Sequence, residues 1–344
     1  MKTNPQFDWR IAILISALAA ALYKANDVYI THQFFGDSTN EAVVAFSYLI
    51  IGGWIGLICN FFFSQLIGKK LDPRFSGLYL IPWRTQIFSF LAGSIGAVTT
   101  FFMLWGSSLY DPSLVIPLAS LSIVFLVLYD TLIKRLVRWN QVFWPMVLVI
   151  IGTLVLSTSG FKESWPEISL KALIILFVFK GLSDALGSIF SKEGVGLFEN
   201  AQSVDAVNFS FWRFLWLVVV GTVLSLFGFL SMGKLNTFVE LATHQFLPAL
   251  PFILLTMFFV FFGNFYQTFA FTAKEGTVGK VALLLNIQLV LGIPITIIVS
   301  LINPTAFGQL SSDLWYWCFK IVGSLLIFWG VYLLTLKRET SSST

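Results

Sequence analysis

Charge is what this sequence has least of. Only 11% of its 344 residues are charged, where a soluble domain usually carries about 25%; too few polar side chains exist to coat a water-facing surface. Histidine occurs twice, as His32 and His244. Both fall in or beside predicted loops and no His/Cys cluster has metal-ligand spacing, so no metal is expected. Cys59 and Cys318 are the two cysteines, each inside an apolar run, which argues against a disulfide framework. No GxxxxGK[ST] loop is present to cradle a phosphate, which argues against ATP-driven work by this chain alone, and no cofactor is expected. No small-residue cleavage site follows a short apolar stretch near the N-terminus, so the first run reads as a spanning helix and not as a removed signal peptide.

Hydrophobic residues make up 57% of the chain, with 37 Phe and 12 Trp. They come in runs of roughly the ~20 residues that cross ~30 Å of hydrocarbon at 1.5 Å per residue. The predicted spans are about 9–32, 42–67, 84–109, 113–134, 141–160, 169–191, 206–231, 247–272, 277–302 and 314–336. The expected fold is an all-α polytopic membrane protein of ten transmembrane helices, with the bilayer as a partner and no nucleic acid. The net charge of +4 then reports topology. One set of alternate loops holds Lys69, Lys70, Arg74, Arg84, Lys134, Arg135, Arg138, Lys192, Lys274, Lys280, Lys337 and Arg338, and the other set holds Lys162, Lys171 and Lys234. That asymmetry predicts N-in and C-in. Trp9, Trp83, Trp144, Trp212 and Trp315 fall near span ends, as aromatic belts do.

A weak internal repeat runs at a spacing of 164 residues. EAVV (41–44) opens the second span and DAVN (205–208) the seventh; SLYDPSLVIPL (108–118) lies opposite TAKEGTVGKVA (272–282). Asp111 then matches Glu275, Ser113 matches Thr277, and Val115 lies opposite Gly279. Five spans separate equivalent positions. Because five is odd, the halves 1–160 and 161–336 must cross the membrane in opposite senses, as inverted five-helix repeats, with a disordered tail over 337–344. Inverted repeats place a substrate site near the midplane and support alternating access. Chance likeness between apolar helices is the competing explanation.

Charges inside spans cost about 2.5–3.5 kcal/mol each on insertion scales, and four stand out. Lys24 and Asp27 lie in span 1; Lys180 and Asp184 lie in span 6, its repeat equivalent. Spacings of three and four put each pair on one helical face, which must look inward. Two uses are open: a midplane site in which lysines hold a carboxylate or phosphate and aspartates an amine or a proton, or two intrahelical ion pairs that pack the bundle. The amides Asn264, Gln267, Asn286 and Gln288 are further substrate-binding candidates, being costly to bury unpaired. Interhelical bonding is the commoner role for Asn60, Ser89, Ser94, Thr99, Thr100, Ser120 and Ser122. Arg213 either snorkels to headgroups, the favoured reading, or faces the inner vestibule, and Ser113 and Thr277 are read as helix N-caps ahead of binding groups. Tyr23, Tyr29, Trp54, Trp105 and Tyr266 are aromatic groups that could line a cavity, with packing as the plainer role.

The order of these features resembles the drug/metabolite transporter superfamily, in particular its EamA-type two-repeat members. The resemblance rests on LWGSSLYDPSLVIPLASLSIVF, its second copy TFAFTAKEGTVGKVALLLNIQLVL, FSFWRFLWL (209–217) and KIVGSLLIFWGVYLL (320–334), and spans nearly the whole chain. Departures occur too: the first copy has Tyr48 and Leu49 where the second has Trp212 and Arg213. The resemblance implies ten helices in two inverted repeats and translocation without covalent change, in a bacterial inner (plasma) membrane. It puts spans 5 and 10 at the periphery, where a homodimer could form; Gly152, Gly323 and Gly330 and the GGWIG segment (52–56) have spacings that suit close helix approach. The expected small-molecule substrate is a charged or zwitterionic organic metabolite, amino-acid-like first. The alternatives are exchange of an anionic metabolite, phosphorylated or nucleotide-type, and a non-transporting intramembrane enzyme or scaffold.

Overall fold

The computed structural model describes residues 8–35, 41–109, 116–118, 120–164, 174–196, 204–273, 275–303 and 312–336. Among these residues all regular structure is helical. The helices are α1 (Trp9–Gln33), α2 (Glu41–Leu71), α3 (Trp83–Leu109), α4 (Ile123–Leu128), α5 (Trp139–Ser164), α6 (Gly181–Gly196), α7 (Ala206–Met232), α8 (Leu235–His244), α9 (Phe246–Thr272), α10 (Val278–Leu285), α11 (Ile287–Ile302) and α12 (Leu314–Leu336). Nine segments are long and apolar enough to cross a membrane among the described residues, one of them running across residue 119. Large apolar side chains cover the outside: Leu80, Phe227, Ile302 and Leu314 are each more than 70% exposed. In water such a surface would drive aggregation; facing acyl chains it is the required one. The chain is a polytopic α-helical membrane protein.

Aspartates start several helices. Asp8 accepts from the amide of Arg10, Asp205 from that of Asn208 at 2.8 Å and Asp313 from that of Trp315, each supplying a partner to an amide that the first helical turn leaves open. Gly233, with φ of 64°, ends α7 in the left-handed conformation that a Cβ disfavours.

The sequence expected unbroken spans, and three differ. The fourth passes from a 3-10 turn (Ser120–Ser122) through α4 into a π-helical turn (Tyr129–Ile133). The described part of the sixth has a π-helical stretch (Ile174–Lys180) that becomes α6 at Gly181. The ninth divides at Asn286, whose side-chain amide donates to Ala282 O at 3.0 Å while its backbone amide also turns back to Ala282 O. A side-chain amide offering its own backbone bond is a known competitor of the helical ladder. The amphipathic α8 was expected as loop. Asp111, Ser113, Val115, Lys171, Lys274, Lys337, Arg338 and the tail lie outside the described residues.

Helix ends meet in a consistent sense. One apolar cluster joins Trp9 at the start of α1, Leu334 near the end of α12, Phe271 at the end of α9, Val278 at the start of α10, and Leu126 of α4. Lys134, after the π-turn that follows α4, pairs with Glu193 near the end of α6 at 2.7 Å. Lys192 donates to Phe271 O and Ala273 O at 2.7 and 2.9 Å. These contacts define one face of the bundle, here called the terminal face.

The most extensive helix pairings are α5 with α12, α1 with α9, α3 with α7 and with α6, and α2 with α7. In the first of these the backbones touch. A Cβ on Gly152 would stand 2.7 Å from Gly323 O, one on Gly323 2.7 Å from Gly152 O, and one on Gly330 2.8 Å from Pro145 O. The glycine spacing noted in the sequence therefore serves packing within the chain. GGWIG does the same: Gly53 faces Val218, and a Cβ on Gly56 would meet Met257 and Phe214.

On the terminal face, the connection after α2 is fastened to the start of α7. Asp72, 1% exposed, accepts from Ala206 N at 3.0 Å and from the Arg74 guanidinium at 2.8 and 2.9 Å. Asn208 accepts from Tyr79 N and donates to Gly77 O, and Trp212 Nε1 donates to Tyr79 O. Burial opposes ionisation of Asp72, but the bonds from the Arg74 guanidinium and from the backbone amides of Ala206 and Arg74 outweigh it and hold the carboxyl below the usual carboxylate range. A lowered native pKa stabilises the fold above the unfolded value of about 3.9 and is lost as pH falls through the native value. Asp72→Ala should therefore lower the stability of the detergent-purified protein at pH 7 by about 1–3 kcal/mol. In thermal melts the gap between parent and variant should close below about pH 4. A gap that stays constant from pH 7 to 3 contradicts the assignment.

Candidate functional site

A cavity of about 190 Å³ lies inside the bundle, somewhat larger than the ~150 Å³ engineered void that accepts benzene. Its wall is built by α1, α3, the 3-10 turn and α4, the end of the π-stretch with α6, α9, and α10 with the first turn of α11. Lys24, Asp27, Lys180 and Asp184 all line it, as do Asn264, Gln267, Asn286 and Gln288. The four charges act on one another: those felt at Lys24 are Lys180, Asp184 and Asp27.

The two helical Lys–Asp pairs are used differently. In the π-stretch and α6, Lys180 Nζ lies 3.6 Å from the Asp184 carboxylate, which also accepts from Ser122 Oγ at 2.9 Å. The π-helical turn supports this geometry: it carries Lys180, only 6% exposed, just ahead of the α-helix that carries its partner. In α1 no such pair forms. Lys24 Nζ donates to Gln288 Oε1 at 2.8 Å, and Asp27 accepts from Tyr48 OH at 2.5 Å, with Thr256 also on that carboxylate. Among the described residues no ion pair includes Lys24 or Asp27. A cation and an anion one turn apart, each held by a neutral group, stand open to one cavity.

The amides are placed to serve the same space. Gln288 holds Lys24. Asn264 accepts from Arg213 Nη2 at 2.7 Å. Asn286 spends its amide nitrogen on Ala282 O, and its Oδ1 has no hydrogen-bond partner among the described residues; a donor in the cavity would satisfy it. Thr99, Thr100, Ser120 and Ser122 add hydroxyls to the wall. Of the five aromatic groups singled out in the sequence, only Tyr23 lines the cavity. Tyr29 meets Phe34 edge-to-face and Phe252 at a tilt, Trp54 is exposed and donates to Thr222, Trp105 packs on Phe101 and Phe102, and Tyr266 packs on Phe262 and Phe265.

Two expectations are corrected. Arg213 does not snorkel. It turns into the bundle, donating to Asn264 and, at 3.2 Å, to Ser191 Oγ, with the Asp184 carboxylate near enough to act on its charge. At seven residues into α7 it stands about 10 Å along the axis, deep enough that an inward partner wins over the headgroups. Thr277 occupies the N-cap position of α10, but its side chain makes no capping bond. Asp130 does that work across the two halves, accepting from Gly279 N at 2.6 Å. Asp130 (2% exposed) and Tyr48 were missed: one sits in the apolar run FLVLYDTLI, the other reads as core.

Toward the terminal face the cavity wall is apolar. Leu126, Phe271, Val278 and Val281 floor it and belong to the apolar cluster that joins the helix ends. The Asp130–Gly279 bond and the Lys134–Glu193 pair lie on that side. Among the described residues no group of three or more His, Cys, Asp or Glu is arranged to hold a metal ion.

No known protein family matches the chain, and no curated protein is similar to it. Among solved structures it is similar to one described only as "Crystal structure of protein", at 15% identity and a TM-score of 0.58. That likeness covers 97% of this chain and 99% of the other. It shows the fold and nothing of the activity.

The site makes a prediction of its own. Removing the guanidinium leaves Asn264 and Ser191 without their donor inside the bundle, so Arg213→Ala should cost about 1–3 kcal/mol, read as a lower melting temperature. Arg213→Lys should recover part of the loss. An unchanged melting temperature in Arg213→Ala would mean that the side chain reaches the headgroups instead.

Proposed function

We propose that this chain is a carrier that moves a small amino-acid-like zwitterion across the membrane by alternating access, built as two inverted five-helix halves. The observation that carries the reading is the open pair Lys24 and Asp27. Two opposite charges on one face, satisfied by Gln288 and Tyr48 and not by each other, match a solute that brings a carboxylate and an ammonium group of its own. Burying such charges without partners is expensive, and a zwitterion supplies both partners at once. Asn286 Oδ1 can accept from the same ammonium. Lys180 and Asp184, already neutralised locally, complete a polar wall.

The architecture supports two mirrored halves. At the terminal face α1 starts and α6 ends, α2 ends and α7 starts, α3 starts and α9 ends, and α5 starts and α12 ends. The pairing of α1 with α9 has its counterpart in α3 with α6, and α2–α7 and α5–α12 pair with their own equivalents. This agrees with the resemblance to the drug/metabolite transporter superfamily and with ten spans. The terminal face also carries Lys69, Lys70, Arg84, Arg135 and Arg138, so it is the cytoplasmic side by the positive-inside rule. A homodimer through spans 5 and 10 would use their outward faces, because the glycines are already taken.

In this reading the apolar floor closes the cavity toward the cytoplasm, and turning inward requires the Asp130–Gly279 bond and the Lys134–Glu193 pair to release. A second reading, exchange of an anionic metabolite, is favoured by Arg213, which stands behind Asn264 and leaves three cations against two anions around the cavity.

Thermal-shift measurement of the purified protein against α-amino acids, organic anions and sugar phosphates separates the two. The zwitterion reading expects amino acids to stabilise the parent. Lys24→Ala and Asp27→Asn should each weaken binding by about 10- to 100-fold, as loss of one charge-assisted bond of about 1.5–3 kcal/mol implies. Saturable uptake into proteoliposomes should fall in parallel. Binding of phosphates but not amino acids, sensitive to Lys24 and indifferent to Asp27→Asn, favours the anion exchanger. A ligand bound equally by parent and both variants moves the site elsewhere.

A further inference from the structure

A second cavity, of about 120 Å³, adjoins the first and lies between α1, α11 and α12, with Ile116 and Pro117 at its edge. Lys24 and Gln288 line both cavities, so the hydrogen bond between them is the partition. Away from that partition the walls are mostly apolar, formed by Leu289, Ile293 and Ile297. Tyr316, Trp317 and Lys320 of α12 also line it, with the Lys320 ammonium 5.3 Å from the centre of the Tyr316 ring. Lys320 is six residues into α12, about 9 Å along the axis, where a cation facing lipid would be penalised.

Gly292 adds an independent observation. Glycine inside a helix is unfavourable by about 1 kcal/mol against alanine and needs a reason. At Gly152, Gly323 and Gly330 the reason is a touching backbone. At Gly292 a Cβ would meet nothing within 4 Å, and the residue lines the second cavity. The helix side at Gly292 faces open space in that cavity.

We infer that the second cavity is a side-chain subsite. It takes an elongated, acid-terminated extension of the solute, whose stem lies over Gly292 and whose terminal acidic group meets Lys320. The inference rests on the zwitterion reading and deepens it: the head group stays at Lys24 and Asp27, and the substrate class becomes an amino acid with a long acidic side chain. An ammonium group lines an apolar cavity together with Lys24, and that layout suits an apolar stem with an acid at its far end.

The test uses the full-length protein and a homologous probe series: glutamate, α-aminoadipate, α-aminopimelate and α-aminosuberate, with norleucine as the chain without a terminal acid. Half-maximal concentrations come from thermal shift. The expected result is that one of the longer diacids binds about tenfold more tightly than glutamate and than norleucine. Lys320→Gln should abolish the advantage over norleucine while leaving norleucine unchanged. Gly292→Leu, which puts a branched side chain into the space that lies open beside the Gly292 Cα, should remove the gain from stem length and leave glutamate unchanged; Gly292→Ala should behave as the parent. If glutamate binds through Lys24 and Asp27 but stem length, Gly292→Leu and Lys320→Gln make no difference, the subsite is overturned and the zwitterion site stands. If no amino acid of any length binds, both are overturned.

Discussion

The structure depends on the cost of an ionised side chain at the depth of the acyl chains. Lipid supplies no hydrogen bonds and little dielectric relief, so a lysine or aspartate inside a span must look inward and find a polar partner there. Lys180 and Asp184 answer with an ion pair and Ser122. Lys24 and Asp27 answer with Gln288 and Tyr48, which anchor them without cancelling their charge. Arg213 answers with Asn264 and Ser191. The cavity is the place where these answers converge, and its polarity follows from them.

Around this polar interior the packing follows from residue size. Where helices must touch, glycines bring backbone to backbone, as between α5 and α12. Where space is kept, a glycine such as Gly292 stands with nothing near it. Two polar ties between distant segments lie toward the terminal face, where Asp130 caps α10 and Asp72 caps α7. On the proposed alternating-access reading these ties join segments that a change of access would separate, so stability on that side and that movement would draw on the same bonds.

Much of this was legible in the sequence because hydropathy and charge are one-dimensional signals. Spans announce themselves by length, and charged residues inside them stand out against 57% hydrophobic composition. The four charges and four amides chosen on that basis all line one cavity. What the sequence hid was relational. Which Lys–Asp pair closes and which stays open depends on where Gln288 and Tyr48 arrive from other helices, and a spacing of three or four residues cannot tell. Arg213 near a span end reads as snorkelling until α6 and α9 are seen to offer Ser191 and Asn264. Tyr48 has the pattern of core, and Asp130 is hidden in an apolar run whose partner is a backbone amide. The π-helical turns and the break at Asn286 arise from local hydrogen-bond competition that hydropathy does not register.

The most direct measurement is an experimental structure of the protein with a bound α-amino acid. The account predicts the solute carboxylate at Lys24 Nζ and its ammonium at Asp27, with the Lys24–Gln288 bond exchanged or shared. A solute found elsewhere in the bundle, or Lys24 and Asp27 closed on each other with the ligand absent from between them, contradicts it.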